Sequence, residues 1–250
     1  MLPRKKLVTL YFMTETKEPA SDPVIDALFK VGAHYGYAKT RRHPSTASYI
    51  LGLKNRVEII NLEQTKELLE AAKVFVKTLG AEGKIILFVG GKHEAADAVR
   101  QGAMEIGMPN VSGRWIGGTL TNFAQIRSRV DMLLDLKAKR EQGDLAKYTK
   151  KEQLLISRDI EKLEELFGGL VGMKALPAAL FIVDPKEEKT AASEAKRLKI
   201  PVVALASSDC DISDIAHPII ANDSSMGSIR HFVNEIVKAY NEGKITTAKV

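Results

Sequence analysis

The chain's only tryptophan stands in Gly113-Arg114-Trp115-Ile116-Gly117-Gly118-Thr119-Leu120-Thr121-Asn122-Phe123, a run whose residue types suit the capture of an anion. Gly117 and Gly118 permit backbone angles closed to other residues, so neighbouring N–H groups can converge on one negative charge. Thr119 or Thr121 can cap the helix that follows, whose free N–H groups and dipole also favour an anion. A phosphate of a nucleotide cofactor or of a nucleic-acid backbone would fit such a loop. A tight turn that buries Trp115 in a core uses the same residues, and the segment alone does not choose between them.

A second group is purely cationic. Lys30, Lys39, Arg41, Arg42, Lys54 and Arg56 lie in a stretch without one Asp or Glu, interleaved with His34, Tyr35, Tyr37, His43 and Tyr49. Cations reach phosphates, while aromatic rings stack on exposed bases or brace a loop. Gly32, Gly36 and Pro44 make the stretch read as a loop, and a solvated basic loop with structural tyrosines is the alternative. No carboxylate or cysteine lies near His34 or His43 in sequence, which argues against metal ligation.

Phe88-Val89-Gly90-Gly91-Lys92-His93 sits where a strand passes into a helix, the edge at which α/β sheets commonly bind ligands. It matches neither the P-loop nor the dinucleotide fingerprint, so a plain turn, or Lys92 on a backbone phosphate, is the reading. Asp184-Pro185-Lys186 and Ser207-Ser208-Asp209-Cys210-Asp211 also follow strands. Carboxylates flanking a thiol could mean acid–base or metal chemistry. However, His217 shows no orienting pattern, and acids after strands usually cap the next helix, as Asn222-Asp223-Ser224-Ser225 does. No catalytic residue, metal or cofactor is expected.

The elements that must hold these groups follow from periodicity. Of 250 residues, 45% are apolar, enough for one large core. Thirty-seven Lys and Arg against 31 Asp and Glu give a formal charge of +6, which favours a polyanionic partner. A single cysteine excludes an internal disulfide and a thiolate-rich zinc site. No apolar run approaches the roughly 20 residues of a membrane span. Arg4-Lys5-Lys6 and Leu7–Met13 imitate a secretion signal but lack its cleavage site, so a cytoplasmic protein is expected.

Apolar strands at 57–60, 85–89, 179–183, 202–205 and 218–220 alternate with helices near 63–79, 92–106, 189–198 and 225–240. That pattern indicates a doubly wound α/β fold around a parallel sheet. Residues 123–170 break the rhythm. Phe123, Ile126, Val130 and Leu133, then Ile156, Ile160, Leu163, Phe167 and Leu170, follow heptad spacing around Glu141-Gln142-Gly143-Asp144. An inserted antiparallel coiled-coil hairpin is expected, with packing on the sheet as the alternative. The organisation is then an extension over 1–23, an α/β domain over 24–122 and 171–240, the hairpin over 123–170 and a tail over 241–250.

The tryptophan–glycine block resembles the bacterial form of the small-subunit ribosomal protein two family. So do Gly32-Ala33-His34-Tyr35-Gly36, Ile59-Ile60-Asn61-Leu62, Ile86-Leu87-Phe88-Val89-Gly90, Phe181-Ile182-Val183-Asp184-Pro185, Cys210-Asp211, Asn222-Asp223 and Ser228-Ile229-Arg230. The resemblance spans about 24–240. It implies a flavodoxin-like domain with a coiled-coil insertion and no enzymatic activity. It also implies a structural role on small-subunit (16S-type) rRNA between head and body, beside neighbouring proteins that include small-subunit protein one. Tyr37, the order Arg41-Arg42-His43-Pro44, and Ile212 after Cys210-Asp211 depart from the family's usual residues. The candidate RNA contacts are Lys39, Arg41, Arg42, Lys54, Arg56, Lys92, Arg114, Thr119 and Asn122, with Trp115 bracing its loop. The competing expectation is an enzyme that binds a nucleotide or sugar phosphate at Gly90-Gly91-Lys92 and Gly117-Gly118.

Overall fold

In the computed structural model, which describes residues 22–248, the strands that read as near-continuous apolar runs form one parallel sheet. Its members are β4 (Ile86–Val89), β5 (Asn110–Val111), β6 (Ala179–Val183), β7 (Val202–Ala206) and β8 (His217–Ile220), ordered β5-β4-β6-β7-β8. All neighbours are parallel, with Phe88 opposite Phe181 and Ile182 opposite Ala204. Successive side chains alternate between faces, so each strand feeds two cores. Phe88, Phe181, Val203, Leu205 and Ile219 face α2 (Leu62–Ala81), α3 (His93–Glu105) and α7 (Met226–Ala248). Leu87, Val89, Leu180, Ile182 and Ala204 face the opposite way. There they meet Trp115, α4 (Phe123–Glu141), α5 (Lys150–Phe167) and α6 (Lys189–Arg197). The expected parallel sheet covered on both faces is therefore present, and α7 continues to Ala248 past the expected end at 240. Most of the expected extension, residues 1–21, lies outside the described residues.

One part of the sequence reading needs correction. The stretch from Lys30 to Arg56 is not a loop, and Val57–Ile60 does not join the parallel sheet. After α1 (Pro23–Lys30), strands β1 (Tyr35–Ala38), β2 (Ile50–Lys54) and β3 (Val57–Ile60) make a separate antiparallel sheet ordered β1-β3-β2. The β2–β3 turn puts both Asn55 (φ 50°) and Arg56 (φ 67°) in the left-handed region, as a tight hairpin requires. Asn-Arg is only half of the Asn-Gly signal that announces such a turn, and Leu51 and Leu53 are exposed, which blurs the alternation.

The insertion forms two helices that pack on each other, with Lys137 of α4 paired to Glu164 of α5. Ile126, Val130, Phe167 and Leu170 of the predicted seams join the core under the sheet, whereas Leu133 and Ile160 are buried outside that cluster. The connection is a turn through Gly143 and a short helix over Asp144–Lys147. Thr149 then opens α5 with a capping box, its hydroxyl accepting from the Glu152 N–H while the Glu152 carboxylate accepts from the Thr149 N–H.

Candidate nucleic-acid interface

The loop around Trp115 does hold an anion, and the anion belongs to the chain itself. The Glu194 carboxylate accepts from the Trp115 indole at 3.1 Å and the Gly118 N–H at 2.8 Å on one oxygen. Its other oxygen accepts from the N–H groups of Leu120 and Thr121, both at 3.0 Å, and from the Thr121 hydroxyl at 3.1 Å. Gly118, at φ 93°, permits the turn that aims these donors inward. Burial opposes the charge on Glu194, yet the N–H groups of Thr121 and Gly118 and the indole outweigh it and hold the pKa below its usual value.

The expectation of an external phosphate in this loop is thereby corrected. Thr119 is buried and its hydroxyl donates to the Ile116 carbonyl at 2.6 Å, so it neither caps the next helix nor faces a partner. Asn122 occupies the cap position of α4 without a side-chain capping bond and is exposed, as is Arg114. Trp115 is buried, as the tight-turn reading has it, and the anion that the loop holds is internal.

The second glycine site is closed in the same manner. The Gly91 N–H donates to Glu188 at 2.8 Å. Lys92 turns inward, its ammonium 3.1 Å from Asp184 and 3.7 Å from Asp223, with the Tyr37 hydroxyl at 3.4 Å. Asp184, Cys210 and Asp223 are buried and bring ligating atoms within 4.8 Å of one another, a set that could hold a cation. The cation already there is the Lys92 ammonium. Burial weakens its charge, but Asp223 and Asp184 hold its pKa above the usual lysine value. Burial, then the Asp184 charge, push Asp223 up to about 7, and one Asp223 oxygen has no hydrogen-bond partner. Burial also raises the Cys210 thiol, which keeps it from acting as a nucleophile. Lys92 is thus a keystone between strand ends and not a surface contact. Gly91, Lys92 and Gly118, three of the groups on which the nucleotide and sugar-phosphate reading relied, are thus committed internally.

What remains outward is the small antiparallel sheet and its flank. Lys39, Arg41, Lys54 and Arg56 are exposed. Arg41 lies with its guanidinium carbon 5.6 Å from the Tyr37 ring centre, which steadies it without using up its charge. Arg42 differs from its neighbour, because it pairs at 3.2 Å with Glu58, an acid 1% exposed. The segment is fastened to the main body through Ser208, whose hydroxyl accepts from the Tyr37 N–H and whose carbonyl accepts from the His43 N–H and the Thr46 hydroxyl. Sequence reasoning missed Glu194, Glu58 and the buried role of Asp184 and Asp223. Only Glu194 carried a signal, since it shares a helix face with Ala191 and Ala195 on an otherwise polar segment.

Among the described residues no helix is long and apolar enough to cross a membrane. The sequence pattern of the family described as "Ribosomal protein S2" matches residues 28–243. A protein called "Small ribosomal subunit protein uS2" from Geotalea uraniireducens (strain Rf4) is 40% identical over 223 residues, covering 89% of this chain and 87% of that protein. A protein of the same name from Coprothermobacter proteolyticus is 42% identical over 217 residues, 87% of this chain and 81% of that one.

Proposed function

Since this chain belongs to the ribosomal protein S2 family and is a structural constituent of the small ribosomal subunit, we propose that its small antiparallel sheet is laid against small-subunit rRNA between head and body. The observation that carries this is the sorting of cations. Lys92 and Arg42 are neutralised by internal acids, whereas Lys39, Arg41, Lys54 and Arg56 keep their charge outward on a segment without acids. Arg114 and Asn122 of the tryptophan loop are exposed as well and remain candidate contacts. Phosphate contacts of this kind fix register and carry no sequence information, so specificity comes from rRNA shape and from neighbouring proteins.

In this reading the body is a flavodoxin-like domain, and α4 with α5 forms an antiparallel coiled-coil arm over 123–170 that reaches further RNA or protein neighbours, small-subunit protein one among them. The scaffold acts by position alone, which agrees with the ribosomal proteins it is similar to and needs no catalytic group. Binding of the full chain to small-subunit rRNA over a range of salt tests the assignment. Replacing Lys39, Arg41, Lys54 and Arg56 together by alanine is expected to lower the slope of log affinity against log salt by roughly 3. An unchanged slope would remove this face from the interface.

A further inference from the structure

Three rings meet where α1 passes into β1, and the phosphate-binding role makes no use of them. Phe29 and His34 stack with centroids 4.4 Å apart and planes 8° from parallel. Tyr35 follows at 4.0 Å from His34, tilted by 40°. His34 is buried, but Phe29 is 61% and Tyr35 48% exposed, so the column is closed at its centre and open at its outer rings. The backbone beneath is fixed. Leu28 is fully buried, the Gly32 carbonyl accepts from the Asn222 side chain at 3.0 Å, and the His34 carbonyl accepts from the Ile60 N–H at 2.8 Å.

A rigidly held, exposed phenylalanine would be covered either by a nucleobase or by an apolar protein side chain. The surrounding charge decides between them. Lys30 adjoins Phe29, Lys54 acts on the His34 ring, and no acid occurs from Lys30 to Arg56. Of the flanking acids, Glu58 is buried against Arg42, and Asp26 lies one turn back in α1. Burial, and secondarily Lys54, hold the His34 pKa below its usual value, which keeps that ring neutral and suited to stacking. Exposed rings on a cation-bearing segment without acids are a pattern that binds an unpaired base together with its phosphates.

We propose that the Phe29–His34–Tyr35 column is a stacking platform for one unpaired RNA base, with Lys30 and Lys54 placed for the phosphates beside it. This rests on the rRNA assignment and adds to it that a single-stranded element is held. The test uses the full chain and a single-stranded oligoribonucleotide carrying one 2-aminopurine, whose fluorescence is quenched by stacking. The unaltered chain is expected to quench it. Phe29→Leu is expected to abolish quenching and weaken binding about tenfold, with the salt dependence unchanged because no charge is removed. Phe29→Trp is expected to keep both.

No quenching by the unaltered chain, equal quenching by Phe29→Leu, or a Trp variant no better than Leu would each overturn the platform. So would a Phe29→Leu variant that quenches normally but enters subunits poorly, which would assign the ring to a protein neighbour. If Phe29→Leu does not fold, the Trp variant decides alone, since loss of quenching there overturns the idea. Failure of the unaltered chain to bind structured rRNA at all is a different result, and counts against the underlying assignment.

Discussion

Five donors converge on Glu194, and removing its charge shows what they are worth. Glu194→Gln preserves volume but turns an amide NH2 toward N–H groups that need an acceptor. Leaving two of them unsatisfied costs about 3 kcal/mol, to be read by denaturant unfolding followed through the emission of Trp115. The sign with pH follows from the lowered pKa of Glu194. Its stabilisation is present above the ordinary value of 4.5 and is lost as pH falls through the folded value, so the Gln variant should show a flatter acid limb. A variant as stable as the parent would mean that water satisfies the loop instead. The loop's appetite for an anion was legible in Gly117 and Gly118. The identity of that anion was not, because Glu194 lies 73 to 79 residues downstream among lysines and alanines.

Elements with a strong period announced themselves, and those shaped by a turn or a close approach did not. The apolar strands and heptad seams repeat at fixed spacing, so four strands of the parallel sheet and the two insertion helices followed from pattern alone, whereas the two-residue β5 is too short to show a period. The small sheet depends on the left-handed pair Asn55 and Arg56, for which residue type gives only a weak signal. The contact between α2 and α7 is equally silent in sequence. A Cβ added at Gly80 would overlap the Tyr240 backbone carbonyl, so the two helices touch there along their main chains. Gly80→Ala should gain a few tenths of a kcal/mol to about 1 from helix propensity, yet lose more by forcing α2 and α7 apart. The expected net is a loss of about 2 kcal/mol, measured as a lowered thermal midpoint. An increase would show that the helices slide without cost.

At the scale of the molecule, the Lys92 cluster joins parts far apart in sequence: Tyr37 from β1, Asp184 beyond β6 and Asp223 beyond β8. Its pH response therefore belongs to the whole fold. Asp223 is raised from 3.8 to about 7, so the native chain holds this proton more tightly than the unfolded one. The associated stability is fully present below about 4 and is lost as pH rises through about 7. Between pH 5 and pH 8 the parent should lose on the order of 2–3 kcal/mol that Asp223→Asn does not, with Lys92 still paired to Asp184 in both. Parallel stability profiles for the two proteins would refute the assignment of that window to Asp223.

The internal carboxylate under the tryptophan loop also bears on how the chain is made. A ribosome synthesising it makes the donors of the tryptophan loop 73 to 79 residues before Glu194, their acceptor. Those donors therefore gain their internal acceptor only once α6 has been made.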